Sequence, residues 1–235
     1  MSGDNLYLLS ALPTLGELGS TPPMTLTRLL EQVIEGGENR PLLEALLLSD
    51  DLLQRQAFLS GELDEVEPVV LTAPQARDEE PLPEYLVSSE DTASQPAPDD
   101  LWALYYRYAA NTATENRNSF LSEWVGYEVG MRNALVKARA KALNLDPQEY
   151  LVVPDIGSAK EDFSKVINEW TAASDPFAGL RVLDEARWKW LGENDGWFTF
   201  ENDELVAYGA KLMLLQRWQR LSRDVPAQTE KARAN

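Results

Sequence analysis

Four polar residues that flank apolar helix positions are the first candidates for chemistry. Glu128, Arg132 and Asn133 lie on one predicted helix, and Arg187 lies on another. Glu128 and Arg132 are four residues apart, so they share a helix face and can form an ion pair. Their position beside an apolar seam predicts a partly buried polar network that fixes helix register. Contact with a ligand or a partner protein is the alternative interpretation.

Adjacent acids are the second candidates, because carboxylates can hold a divalent metal ion. Neighbouring side chains on one element point apart, however, and acids at a helix start are favoured by the helix dipole. We therefore expect such pairs to cap or begin helices, and we expect no metal site. An unrelated helical enzyme that uses carboxylates remains a remote alternative. The pairs considered are Asp50-Asp51, Asp99-Asp100 and Asp203-Glu204.

The composition excludes several kinds of catalytic and cofactor site. The 235-residue chain has no histidine and no cysteine, so it has no disulfide, no thiolate metal site and no Ser-His-Asp triad. It has neither a GxxxxGK[ST] nor a GxGxxG motif, and residues 155–160 are expected to be a helix-entry loop capped by Ser158. We therefore expect a protein that is not an enzyme and binds no cofactor.

The charge is large and unevenly distributed. The formal net charge is −18, and residues 1–100 hold 20 acids against four arginines. Such a surface disfavours nucleic-acid binding, which needs a basic face, and it suggests a basic partner surface. The first twenty residues carry no Lys or Arg, and no apolar run is long enough to cross a bilayer. These features predict a cytoplasmic protein without direct membrane insertion.

Leucine-rich periodicity predicts a mainly all-α fold, either a helical bundle or repeated helical hairpins. The strongest signal is a continuous apolar stripe over residues 117–145. Residues 7–12 are ambiguous and predict a short strand or a short helix. Further helices are predicted from Thr25 to about 35, from Asn39 to 59 with a break or cap at 49–51, from 99 or 100 onward, and over 159–172, 177–192 and 202–222.

Composition divides the chain into four segments. Residues 1–63 form an N-terminal helical region, 64–100 an acidic Pro-rich connector, 101–225 a C-terminal helical body, and 226–235 a disordered tail. The connector holds six of the 14 prolines, which excludes a continuous helix. Within it, Val69 to Leu71 is expected to be an extended piece docked on the body, and residues 88–99 are expected to be disordered or a mobile loop.

Tryptophans supply candidate anchors for a partner protein. Trp188 and Trp190 are two residues apart on one predicted helix, so both cannot face the same core. One of them, or Trp197, is therefore a candidate exposed anchor.

Four motifs in order resemble an uncharacterised bacterial family, domain of unknown function 2764. They are YLLSALP at 7–13, NxFLxxWxxxExxxRN at 118–133, ARWKW at 186–190, and LxxYxxKLxxLxRW at 205–218. Members of that family are associated with bacterial V/A-type ATPases. They are similar in pattern to the C subunit of those machines, an all-helical protein that joins the rotor shaft to the membrane rotor ring.

The resemblance implies a role for the chain. It implies a non-catalytic coupler in the central stalk, similar to the C subunit, with the rotor shaft and the membrane ring as partners. The protein would be cytoplasmic and peripheral on the inner membrane through the ATPase complex. An assembly or regulatory factor of the same ATPase is the alternative.

Overall fold

The computed structural model describes residues 3–33, 37, 39–87, 97–158, 160–196, 199 and 201–234. Within these residues the fold is all-α, as predicted, and contains no strand. The α-helices are α1 (Gly3–Ala11), α2 (Leu26–Gln32), α3 (Asn39–Leu59), α4 (Ala73–Ala76), α5 (Pro98–Glu115), α6 (Ser119–Leu143), α7 (Ser164–Thr171), α8 (Pro176–Asn194) and α9 (Asn202–Ala234), with 3-10 turns at Glu84–Leu86 and Pro147–Tyr150.

Helix ends follow the polar side chains that satisfy free backbone groups. Thr25 accepts a hydrogen bond from the Arg28 N–H at 3.1 Å and begins α2, as predicted. Asn118 accepts from the Leu121 N–H at 2.7 Å and begins α6. At the other end of α6, Asn144 adopts the left-handed conformation, with φ at 56°.

Three predicted elements differ in the structure. The opening segment is a helix, so its strand interpretation is wrong. Ser158 does not cap a helix, because its hydroxyl accepts from the Lys160 N–H and α7 begins only at Ser164. Helix α9 passes the predicted end at residue 222 and continues to Ala234, through most of the predicted tail.

The core lies between α3, α5, α6 and α9. Helix α5 packs between α3 and α6, and α9 packs across both. Gly209 lets α9 lie close to α3, because a Cβ there would lie 2.8 Å from Leu43 Cδ2 and 3.2 Å from Leu46 Cδ2. Residues from the N-terminal and C-terminal segments thus share one apolar core.

The acids in the middle of α3 do not break the helix, contrary to the prediction. Asp50 and Asp51 are buried inside a helix of 21 residues. Asp51 accepts hydrogen bonds from three consecutive backbone N–H groups, those of Val69 at 2.8 Å, Val70 at 2.7 Å and Leu71 at 2.7 Å. The helix continues through both acids because donors on the connector and on α9 satisfy the buried carboxylates.

Asp50 uses its carboxylate to join α3 to α9. Its Oδ2 accepts from Arg220 Nη2 at 2.7 Å and from Gln54 Nε2 at 2.9 Å. Two adjacent carboxylates of α3 therefore bind two different elements, Asp50 binding α9 and Asp51 binding the connector.

The connector lies against α3 over residues 67–78 and against α5 at the 3-10 turn Glu84–Leu86. The Gln54 side chain forms hydrogen bonds with both the N–H and the C=O of Glu67. Arg55 donates to the Gln75 carbonyl and to Asp78. The docking expected for Val69 to Leu71 is therefore observed, and the polar side chains of α3 provide it. Residues 88–96 of the predicted mobile loop lie outside the described residues.

Burial raises the pKa of Asp51 to about 6, against the three backbone N–H donors that lower it. An unfolded Asp loses its proton near pH 4, whereas folded Asp51 keeps it to about pH 6. The contribution of this group to stability therefore falls as pH rises through this window, and it is constant above it.

We expect Asp51→Asn to lower the free energy of unfolding by about 1–3 kcal/mol at pH 7, because the amide NH₂ would face a backbone N–H. The stability difference from wild type should widen as pH falls from 7 to 4.5, which urea unfolding at several pH values measures. Glu62→Gln, an exposed acid after α3, is the control and should change little. If the difference in stability instead narrows as the pH falls, the three N–H donors lower the pKa of Asp51 more than burial raises it.

Candidate functional site

An ion-pair network joins three helices of the C-terminal half. The Glu128 carboxylate on α6 accepts two hydrogen bonds from Arg187 on α8, from Nε at 2.7 Å and from Nη2 at 2.9 Å. Arg187 Nη1 donates to Asp184 Oδ1 at 2.9 Å, and Arg217 Nη1 on α9 approaches the same oxygen at 3.5 Å. Four side chains thus link α6, α8 and α9.

The network is buried, so its charges depend on one another. Asp184 is fully buried, and Arg187 is largely covered. Burial acts to lower the pKa of Arg187, but Glu128 and Asp184 oppose this and raise it above its ordinary value. Arg187 therefore remains a cation, and its two carboxylate partners compensate its desolvation.

Arg132 forms a separate group on the neighbouring turns of α6. Its Nη2 donates to Asp99 at 2.7 Å in the first turn of α5, and its guanidinium lies 5.3 Å from the centroid of the Trp102 ring. The pairing predicted between Glu128 and Arg132 is thus replaced, since each residue binds a partner on another helix. The Glu128–Arg187 and Arg132–Asp99 pairs each join two helices, whereas a Glu128–Arg132 pair would have lain within α6 alone.

Asn133 holds the segment that follows α6. Its side-chain amide donates to the Val152 carbonyl and accepts from the Val152 N–H, both at 2.9 Å. The next residue, Val153, has φ at 35°. Farther along, the Ser158 N–H donates to the Gly126 carbonyl at 2.9 Å. Asn133 therefore positions the loop along the surface of α6.

The three tryptophans proposed as anchors have different surroundings. Trp190 is buried against Phe120, Trp124 and Tyr127, and its Nε1 donates to Glu161 at 3.1 Å. It is thus a core residue and not a surface anchor. Trp188 is partly buried and packs against the core, and Trp197 lies outside the described residues.

A cavity of about 470 Å³ lies beside the network, between α3, α5, α6, α8 and α9. Its deep part is bounded by buried aromatic rings, and its mouth is bounded by exposed apolar side chains at the end of α6. Both ion-pair groups reach its wall. Its lining includes Trp102, Tyr105, Tyr106, Trp124, Glu128, Arg132, Arg187, Met213 and Arg217 in the deeper part, and Arg139, Leu143, Leu145 and Tyr150 at the mouth.

Two of the three adjacent acid pairs lie at helix starts. Asp99-Asp100 and Asp203-Glu204 lie in the first turns of α5 and α9, as expected. Among the residues that the structure describes, no group of three or more acids is placed to hold a metal ion. Across the same residues, no helix has the length and apolar character needed to span a membrane.

The sequence patterns did not identify Asp184 and Arg217 as members of the network, or Asp99 as the partner of Arg132. Asp184 has an i,i+3 spacing to Arg187, and this spacing could have identified the pair. Asp99 and Arg217 carry no such local signal, because they meet their partners only through helix packing.

We expect Arg187→Leu to lower the free energy of unfolding by about 3–5 kcal/mol, because it leaves Glu128 and Asp184 buried without their shared cation. Thermal and urea unfolding would measure the loss. Arg181→Leu on the same helix is the matched control, since Arg181 is exposed and pairs with Glu185 four residues away on its own helix. An Arg187→Leu protein as stable as this control would show that the network does not hold the helices together.

Comparison with known protein families gives one match. The family described as "Protein of unknown function (DUF2764)" matches residues 79–231. Searches against curated proteins and against solved structures gave no match. Three of the four motifs that carry the resemblance lie within the matched region, which runs from the middle of the connector through most of α9. The chain belongs to the DUF2764 family.

Proposed function

We propose that this protein is a non-catalytic component of a V/A-type ATPase, acting like the C subunit as a coupler between the rotor shaft and the membrane ring. The proposal starts from the resemblance of the motifs described above. The observation that carries it further is the buried network from Glu128 through Arg187 and Asp184 to Arg217, which ties three helices together.

A coupler must transmit force without internal slip, and packed interiors transmit strain well. Motif residues of this chain contribute to such packing. Asn118 begins α6, Trp124 lies in the aromatic core, and Asn133 fixes the following loop. Residues of these types in these positions support a mechanical role more directly than a chemical one.

The proposed partner surface is acidic. The N-terminal half carries a charge of 4 − 20 = −16 over residues 1–100, and exposed acids such as Glu62, Glu79 and Glu80 lie on or near the connector. Complementary charge mainly sets the association rate and the choice of partner. A basic surface on the rotor shaft would fit this face, and the protein would then be held at the inner membrane through the complex.

Affinity purification from gently solubilised native membranes tests the role. We expect the tagged protein to recover intact V/A-type ATPase with one copy of itself per complex, because a central-stalk coupler is a stoichiometric component. Quantitative mass spectrometry of the recovered proteins measures this. Recovery with partial complexes alone would favour an assembly factor, and the absence of all ATPase subunits would refute the proposed association.

Binding to the purified complex should weaken about tenfold or more between 50 and 300 mM salt, because exposed charges are screened. The double variant Glu62→Lys and Glu79→Lys should weaken binding at low salt. Glu123→Lys, an exposed acid on α6 in the nearly neutral half, is the matched control. Affinity that is independent of salt would contradict the acidic interface.

A further inference from the structure

The cavity beside the ion-pair network is lined by several arginines, and the proposed coupling role does not explain all of them. Among the described residues its lining includes four arginines and two acids, and a third acid, the buried Asp184, lies behind two of the arginines. In a chain with a formal net charge of −18, this is a local reversal of sign. The charged lining residues are Arg132, Arg139, Arg187, Arg217, Asp99 and Glu128.

The arginines differ in how fully their donors are used. Arg187 is engaged by two carboxylates in the network. Arg217 Nη1 lies 3.5 Å from Asp184 Oδ1, which is longer than a normal N–H···O hydrogen bond. Arg132 donates from Nη2 to Asp99, while its buried Nε has no hydrogen-bond partner among the described residues. A guanidinium with unused donors is suited to a carboxylate, which can bind it in a bidentate arrangement.

The remainder of the cavity is suited to an apolar group. The Trp102 ring and the Leu135 and Val136 side chains form part of the wall. At the mouth, Leu143 is 68% exposed and Leu145 is 45% exposed. The volume of about 470 Å³ lies in the usual range for small-molecule sites.

We propose that this cavity binds a small amphipathic carboxylate. The carboxylate pairs with Arg132, whose guanidinium is already partly desolvated, and the apolar body of the ligand lies against Trp102 and the leucines at the mouth. Binding would cover the exposed apolar surface at the mouth of the cavity. This site goes beyond the ATPase role and does not depend on it.

Calorimetric titration of the full-length protein with decanoate tests the proposal. We expect one decanoate per chain, bound at least about tenfold more tightly than decanol or decyltrimethylammonium, which have the same apolar chain without the negative charge. Acetate supplies the carboxylate without the apolar chain and should not bind measurably. All ligands are used below the concentrations at which they form micelles.

Two variants locate the ligand. Arg132→Gln should weaken decanoate binding about tenfold or more, while Arg107→Gln, an exposed arginine on α5 outside the cavity, should leave it unchanged. Leu143→Asp keeps a folded protein available, because the side chain is already largely exposed. It should weaken binding of decanoate and of decyltrimethylammonium alike, because it replaces an apolar contact of the decyl chain with a charged side chain.

Several results would overturn the proposal. Equal affinities for decanoate and decanol would mean that the cavity is only apolar. Equal affinities of the wild type and a folded Arg132→Gln protein would remove Arg132 from the site. Failure of decanoate to bind at about 1 mM, with binding of an acidic peptide that ends in leucine, would assign the cavity to a protein partner. Each result is independent of whether the chain copurifies with ATPase subunits.

Discussion

Asp51 lies inside the protein, and three consecutive N–H groups of the connector provide its hydrogen bonds. A buried carboxylate without such partners would cost several kcal/mol. Helix α3 can therefore bury this face only when the connector is in place, and the connector can lie there only because α3 presents the carboxylate. Asp50 imposes a similar condition on α9 through Arg220. The positions of the connector and of α9 on α3 thus depend on two adjacent acids.

The sequence predicted the elements well where the signal was local. The apolar stripe of α6 and the cap at Thr25 depend on spacings of three or four residues, which a single helix sets by itself. The acids at 50–51 misled the prediction for the opposite reason. Acids next to serine normally mark a helix boundary, and the partners that reverse this preference are 18 to 20 residues away or on α9.

In the candidate site, too, the sequence identified residues with a local signal and missed contacts that depend on helix packing. Glu128, Arg132, Asn133 and Arg187 were identified because they flank apolar seams, but the pairing of Glu128 with Arg187 and the other partners were not predicted. Ion pairs between helices depend on crossing geometry, which no local pattern contains. The cavity was not foreseen either, because its wall combines residues from five helices. Rigidity and an arginine-lined cavity therefore arise from one arrangement, in which Glu128 on α6 binds α8 and Arg132 on α6 binds α5.

The contact of the connector with Asp51 also fixes the register of the chain. Pro68 comes immediately before the three donors and has no N–H, so a shift of one residue in one direction would leave the carboxylate one donor short. On the other side, the Thr72 N–H already donates to the side chain of Gln75. The segment therefore has a single alignment on α3. Additional residues can enter the chain between the end of α3 and Glu67, where they would lengthen a surface loop without moving the three donors.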